Sequence, residues 1–165
     1  MSKQRIEFTE EYKGFTLVGT FYNSDYTERG WHRCGYVGLP AEHSLNDIDY
    51  NDTVDHDVFK HLLERTVEDG RASWIGILCV KVSEEEGISI YILFDVHGGI
   101  TYSNRSSTYP VPSDNLFWYG FDCAHLDNHP LIQTEEYVRK ELHSFADQLI
   151  EYESILAVKE PPDEA

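Results

Sequence analysis

Strand-like segments rich in β-branched and aromatic residues recur at intervals along this chain, and a helical spacing of apolar residues closes it. Phe15 to Tyr22 is β-branched and aromatic, which predicts a strand, and the polar turn Asn23-Ser24-Asp25 follows it. Trp31 to Leu39 predicts a second strand, closed by Gly38-Leu39-Pro40. Within the acidic stretch from Glu42 to Asp69, Val58, Phe59, Leu62, Leu63 and Val67 recur at helical spacing. That spacing predicts a short helix over 57–67, with Asp55 or Asp57 as cap and Gly70 as stop.

Ser73 to Val82 and Gly87 to His97 read as two further strands, joined by a hairpin tip at Glu84-Glu85-Glu86-Gly87. In the second, Ile88, Ile90, Ile92, Phe94 and Val96 share one face. Ser89, Tyr91, Leu93, Asp95 and His97 share the other, which places Asp95 and His97 away from the core. Gly98-Gly99 breaks this strand, and a Ser/Thr/Pro-rich loop over 104–115 leads to an aromatic strand from Leu116 to His125.

The closing segment predicts a long helix. Thr134 is a good N-cap, and Glu135 and Glu136 suit the positive end of the helix dipole. Tyr137, Val138, Leu142, Phe145, Ala146, Leu149 and Ile150 form its apolar stripe, running toward Ile155. Strands followed by one long helix predict an α+β fold: an antiparallel or mixed sheet of about five strands, the helix packed on one face. The connections are too short for a regular parallel βαβ array. A single domain over 1–158 and a disordered acidic tail over 159–165, marked by Pro161 and Pro162, complete the expected organisation.

Composition narrows this picture. The 165 residues suit one domain, and 41% apolar with 13% aromatic content supports a core without staples. Cys34, Cys79 and Cys123 are widely spaced, odd in number and contain no CxxC pair, which argues against a disulfide scaffold or a zinc knuckle. The first residues lack the apolar core of a signal peptide, and no run reaches the roughly 18 apolar residues of a spanning helix. A cytoplasmic protein is expected. The formal charge of −17, from 30 acidic residues against 13 basic ones, disfavours nucleic-acid backbones and anionic membranes. It leaves a basic host protein or a small-molecule ligand as expected partners.

Reactive side chains concentrate at two strand ends, Asp95 to Ser103 and Gly120 to Asp127, where strand gives way to loop. Here Val96-His97-Gly98-Gly99-Ile100-Thr101-Tyr102-Ser103 and Gly120-Phe121-Asp122-Cys123-Ala124-His125 resemble a family of small proteins encoded by bacteriophages and prophages. Gly35-Tyr36-Val37-Gly38-Leu39-Pro40, with His43 three residues on, is similar to that family's N-terminal part. The resemblance implies a phage or prophage setting in a bacterial host and a shared site, without specifying a reaction. Relative to shorter members, the segment between Asp47 and Glu86 looks like an expansion.

Three chemistries fit these residues. In the first, His97, Asp122 and His125, with His43 in reserve, hold a divalent metal such as zinc or manganese, and Asp127 is the general base. The expected reaction is then metal-assisted hydrolysis of a small phosphate-containing substrate. In the second, Cys123 is a nucleophile with His97 or His125 as its base. The third is binding without catalysis, as an inhibitor of a host protein or a trap for a nucleotide-like ligand. Tyr91, Tyr102, Trp118 and Tyr119 would then stack on a ring, and the amides of Gly98 and Gly99 would meet a phosphate. Against all three stands a plainer account, in which the aromatics are core, Asp122 caps a turn and His125 satisfies a buried carbonyl.

Overall fold

The computed structural model describes residues 3–23, 30–54, 88–125 and 128–159. Its main element is a five-stranded sheet with the order β1-β2-β3-β7-β6, every neighbouring pair antiparallel. The strands are β1 (Lys3–Tyr12), β2 (Phe15–Asn23), β3 (Trp31–Leu39), β6 (Tyr102–Ser106) and β7 (Leu116–Asp122). Two-residue strands β4 (Thr53–Val54) and β5 (Ile88–Ser89) pair separately, and Ile90–Leu93 forms a single helical turn, α1. A 25-residue helix, α2 (Glu135–Lys159), packs on one face of the sheet, against β1, β2 and β3. The α+β architecture and the antiparallel sheet follow the expectation. The predicted helix over 57–67, the strand over 73–82, the hairpin tip, Asp127 and residues 160–165 lie outside the described residues.

Strand β1 escapes the sequence pattern because it is an edge. Its alternating charges leave Phe8 as its one buried apolar side chain, and charge on an edge discourages pairing with another chain. Lys13 (φ 50°) and Gly14 (φ 88°) connect it to β2 in a two-residue turn with both residues left-handed, the geometry that matches strand twist. Strand β6 is the opposite edge and begins two residues before the predicted loop, while β7 stops at Asp122 rather than His125.

The strand expected over 87–97 is corrected. Only Ile88 and Ser89 pair as strand, and the next four residues turn once as α1. Ile90, Leu93 and Phe94 satisfy the i, i+3, i+4 spacing as well as Ile90 and Phe94 satisfy alternation, so local pattern alone does not separate the two. Tertiary hydrogen bonds decide it: Ile90 N–H donates to Asp52 O and Tyr91 N–H to Tyr50 O. Leu93 is consequently buried, contrary to its expected face, and Gln148 of α2 grips the Asp95 backbone at both N–H and C=O.

Alternation along the strands builds two cores. Phe15, Leu17, Val37, Leu39, Phe117, Tyr119 and Phe121 face α2, where they meet Val138, Leu142, Phe145, Ala146 and Leu149. Tyr152 joins the helix stripe, while Ile150 is exposed. On the face away from α2, Val18, Cys34, Tyr36 and Trp118 form a smaller cluster, partly covered by Tyr102, Val111 and Leu116. Thr134 Oγ1 accepts the Tyr137 N–H, so α2 starts with the expected cap. Among the described residues no helix is long and apolar enough to cross a membrane.

Candidate functional site

The two motif-bearing strand ends meet. Pairing of β6 with β7 brings Thr101 N–H to Gly120 O at 2.9 Å, and the Thr101 hydroxyl to Asp122 Oδ2 at 3.1 Å. The rings of His97 and His125 lie 6.2 Å apart. Gly98 (φ 66°) permits that approach, since a Cβ there would sit 2.2 Å from His125 Nε2.

The expected metal ligands have protein partners at this junction. Both nitrogens of His97 are engaged, Nδ1 with the Tyr137 hydroxyl at 2.6 Å and Nε2 with Asn128 Oδ1 at 2.9 Å. Asn128 Oδ1 also accepts the His125 N–H, so Nε2 carries the imidazole proton and Tyr137 donates to Nδ1. His97 is thus a strut between α2 and the loop after β7. His43 is only 6% exposed and serves a different part of the core. Its Nε2 donates to Leu149 O, while its Nδ1 accepts the Leu45 N–H. Twelve residues separate Leu149 from Tyr137, roughly 18 Å of helix rise, so His43 is no neighbour of His97. Asp122 caps a turn by accepting the Ala124 N–H, and half-exposed His125 stands 4.0 Å from its carboxylate. Among the described residues, no group of three His, Cys, Asp or Glu side chains is placed to hold a metal.

The other assignments are corrected by burial. Cys123 faces the helix-side core, and burial pushes its thiol up to about 12, the reverse of an activated nucleophile. Burial does the same to Cys34. Neither Cys34 nor Cys123 is expected to react with a thiol reagent at pH 8 in the native state, where roughly one thiol in 10⁴ is ionised. Peptide mapping after labelling, with and without denaturant, checks this; native-state modification of Cys123 would restore the nucleophile. Trp118 and Tyr119 are wholly buried, their polar ends held by Ser106 O and by Ile48 O, so neither offers a free face to a ligand. The Gly99 N–H donates to Val96 O within a turn, leaving it unavailable to a phosphate.

The loop carrying Asn128 is itself anchored from the sheet. Arg33 reaches Pro130 O and Gln133 O through Nη1 and pairs through Nε and Nη2 with Glu7, whose side chain is 9% exposed. An irregularity in the pairing of β1 with β2 falls at Glu7, between Ile6 and Phe8.

Tyr102, Asp122 and Thr101 lead instead to the face away from α2, where a cavity of about 350 Å³ opens. Strand alternation supplies its walls: Gln4 from β1, Thr20 and Tyr22 from β2, His32, Cys34 and Tyr36 from β3. Tyr109, from the loop before β7, completes a cluster of three rings with Tyr36 and Tyr102, and its hydroxyl lies 2.6 Å from that of Tyr36. Gly120 makes room for Tyr36, whose ring would lie 2.7 Å from any Cβ placed there. Gln4 Nε2, Thr20 Oγ1 and His32 Nδ1 are buried without a hydrogen-bond partner, and all three residues line this cavity. Burial raises the pKa of both Cys34 and Tyr109; Thr20 beside the first and Gln4 beside the second oppose that rise slightly, without reaching hydrogen-bonding geometry.

Most of these residues went unnoticed in the sequence. The available signal was the polar and aromatic alternation Thr20, Tyr22 and His32, Cys34, Tyr36 on strands whose other face is apolar.

Burial depresses the pKa of His32 and His43 below the ordinary 6.5. As pH falls through 6.5 the unfolded chain takes up protons that the folded protein refuses, so stability is expected to decline. Glu141, raised by burial, works in the opposite sense at lower pH. Urea midpoints at pH 7.5 and 5.5 check the sign, and a His43→Gln variant should show a shallower decline. An equal decline in that variant would remove His43 from the account.

No family model matches this chain, and neither a curated protein nor a solved structure is found to match it.

Proposed function

We propose that this chain is a non-catalytic binding protein that holds a small molecule in the cavity on the face of its sheet away from α2. The observation that carries this reading is the set of unpaired polar atoms at Gln4, Thr20 and His32. A buried donor or acceptor left unmade costs roughly 1–3 kcal/mol, so three on one cavity call for ordered water or a polar ligand to meet them, and a ligand that matches all three displaces that water. Catalysis is less well supported: the thiol of Cys123 is buried in the core and His97 has no free nitrogen. The motif segments contribute Thr101, Tyr102 and Asp122 to the cavity wall, which joins the resemblance to phage proteins with this site. A ligand trap is a role consistent with that setting, by analogy.

Thermal unfolding with a panel of nucleosides, aromatic amino acids, phenols, indole and choline tests this reading. A ligand at 100 times its Kd contributes about 2.7 kcal/mol, a rise of roughly 5–10 °C for a chain of this size. Thr20→Tyr, which fills the cavity, should abolish the rise. No shift with any compound, or a shift that survives Thr20→Tyr, counts against the cavity as the site.

A further inference from the structure

Resting on the cavity reading above, we propose that the ligand is an uncharged planar heterocycle with hydrogen-bond donors and acceptors on its edge, of the nucleobase or nucleoside class. Size sets the first limit. A cavity of about 350 Å³ is at the small end of ligand sites, which suits one or two rings and excludes a dinucleotide.

Charge sets the second. Among the described residues no Lys or Arg lines the cavity, and the one formal charge there is the carboxylate of Asp122. That carboxylate already accepts from the Thr101 hydroxyl and the Ala124 N–H. An anionic group would enter without a counter-charge, against a protein of net charge −17. A nucleoside therefore fits where its phosphate ester does not.

The walls set the third. Tyr22, Tyr36, Tyr102 and Tyr109 supply flat apolar surface, and a ring stacked on an aromatic side chain gains roughly 1–3 kcal/mol whatever its identity. Tyrosines beside a carboxylate also describe a cage for a quaternary ammonium ion. The unpaired atoms decide between the two. Gln4 Nε2 is a donor, Thr20 Oγ1 is donor and acceptor, and His32 Nδ1 takes either role with its tautomer. An alkylated cation satisfies none of these and is repelled by the Gln4 donor, whereas the edge of a heterocyclic base matches all three.

Calorimetric titration of the full chain tests the class directly, using the four common free bases, their ribonucleosides and 5′-monophosphates, choline and p-cresol. At least one base or nucleoside should bind, its monophosphate at least tenfold more weakly; comparing base with nucleoside shows whether the sugar is also held. Thr20→Val removes one hydroxyl at constant shape and should weaken that binding about tenfold, with unfolding of the free protein unchanged or at higher temperature. Choline or p-cresol binding more tightly than every nucleoside, and lost in Thr20→Tyr, overturns the heterocycle while leaving the cavity reading intact. A monophosphate that binds as well as its nucleoside also overturns it. Silence from every probe here and in the thermal panel overturns both.

Discussion

Replacing Arg33 with alanine is expected to destabilise the protein by about 3–5 kcal/mol, a large share of the roughly 5–15 kcal/mol that holds a domain folded. The reason is what remains behind. Glu7 keeps its carboxylate under the same packing, 9% exposed, with its bidentate partner gone. Two backbone carbonyls, of Pro130 and Gln133, lose a donor in the same change, and Phe21 loses the guanidinium stacked 5.1 Å from its ring. Those carbonyls belong to the loop that presents Asn128 to His97, so the damage should reach the junction of the motif segments. Arg33→Lys restores the charge but not the planar fork, and should recover only part of the loss. Urea unfolding of the three proteins measures it. A loss below about 1 kcal/mol for the alanine variant would mean that Glu7 is solvated after all.

Tyr119→Ala is expected to cost about 3–5 kcal/mol for a different reason, the removal of a fully buried ring. The ring stands edge-on to Phe117 and stacks over Phe145 of α2. Its hydroxyl donates to Ile48 O at 2.6 Å, tying the segment after β3 to the sheet. Tyr119→Phe keeps the packing and removes that tie, for roughly 1–3 kcal/mol. Denaturant midpoints of both variants, alongside nucleoside titration of Tyr119→Phe, separate a core role from a binding role. Unchanged stability with lost binding would instead assign the Tyr119 hydroxyl to holding the ligand. Stability lost with binding retained is the expected outcome, since the ring faces α2 and the cavity lies on the other side of the sheet.

Strands β2, β3 and β7 and helix α2 were legible because each carries a strong period of its own. Phe15, Leu17, Val37, Leu39, Phe117 and Tyr119 alternate without interruption, and α2 adds a capping threonine to a seven-position stripe. β1 was illegible because an edge strand buries little and so carries little apolar signal. Ile90 to Val96 misled because a short apolar run fits two periods at once, and hydrogen bonds to Asp52 and Tyr50 chose between them. The concentration of His, Asp and Cys at two strand ends was legible, whereas their meeting depends on the pairing of β6 with β7. Residue type did not reveal that His97 would be fastened at both nitrogens, or that Cys123 would turn inward.

By itself, then, the sequence determined the α+β class, the places of the central strands and the start of the long helix. Each depends on the order of side chains within one segment, where period and capping act locally. Only the tertiary structure decided that a cavity lies on the face of the sheet away from α2, and that Gln4, Thr20 and His32 from three strands share it. A cavity is a property of register and of which face a helix covers, and no single segment of the chain encodes either.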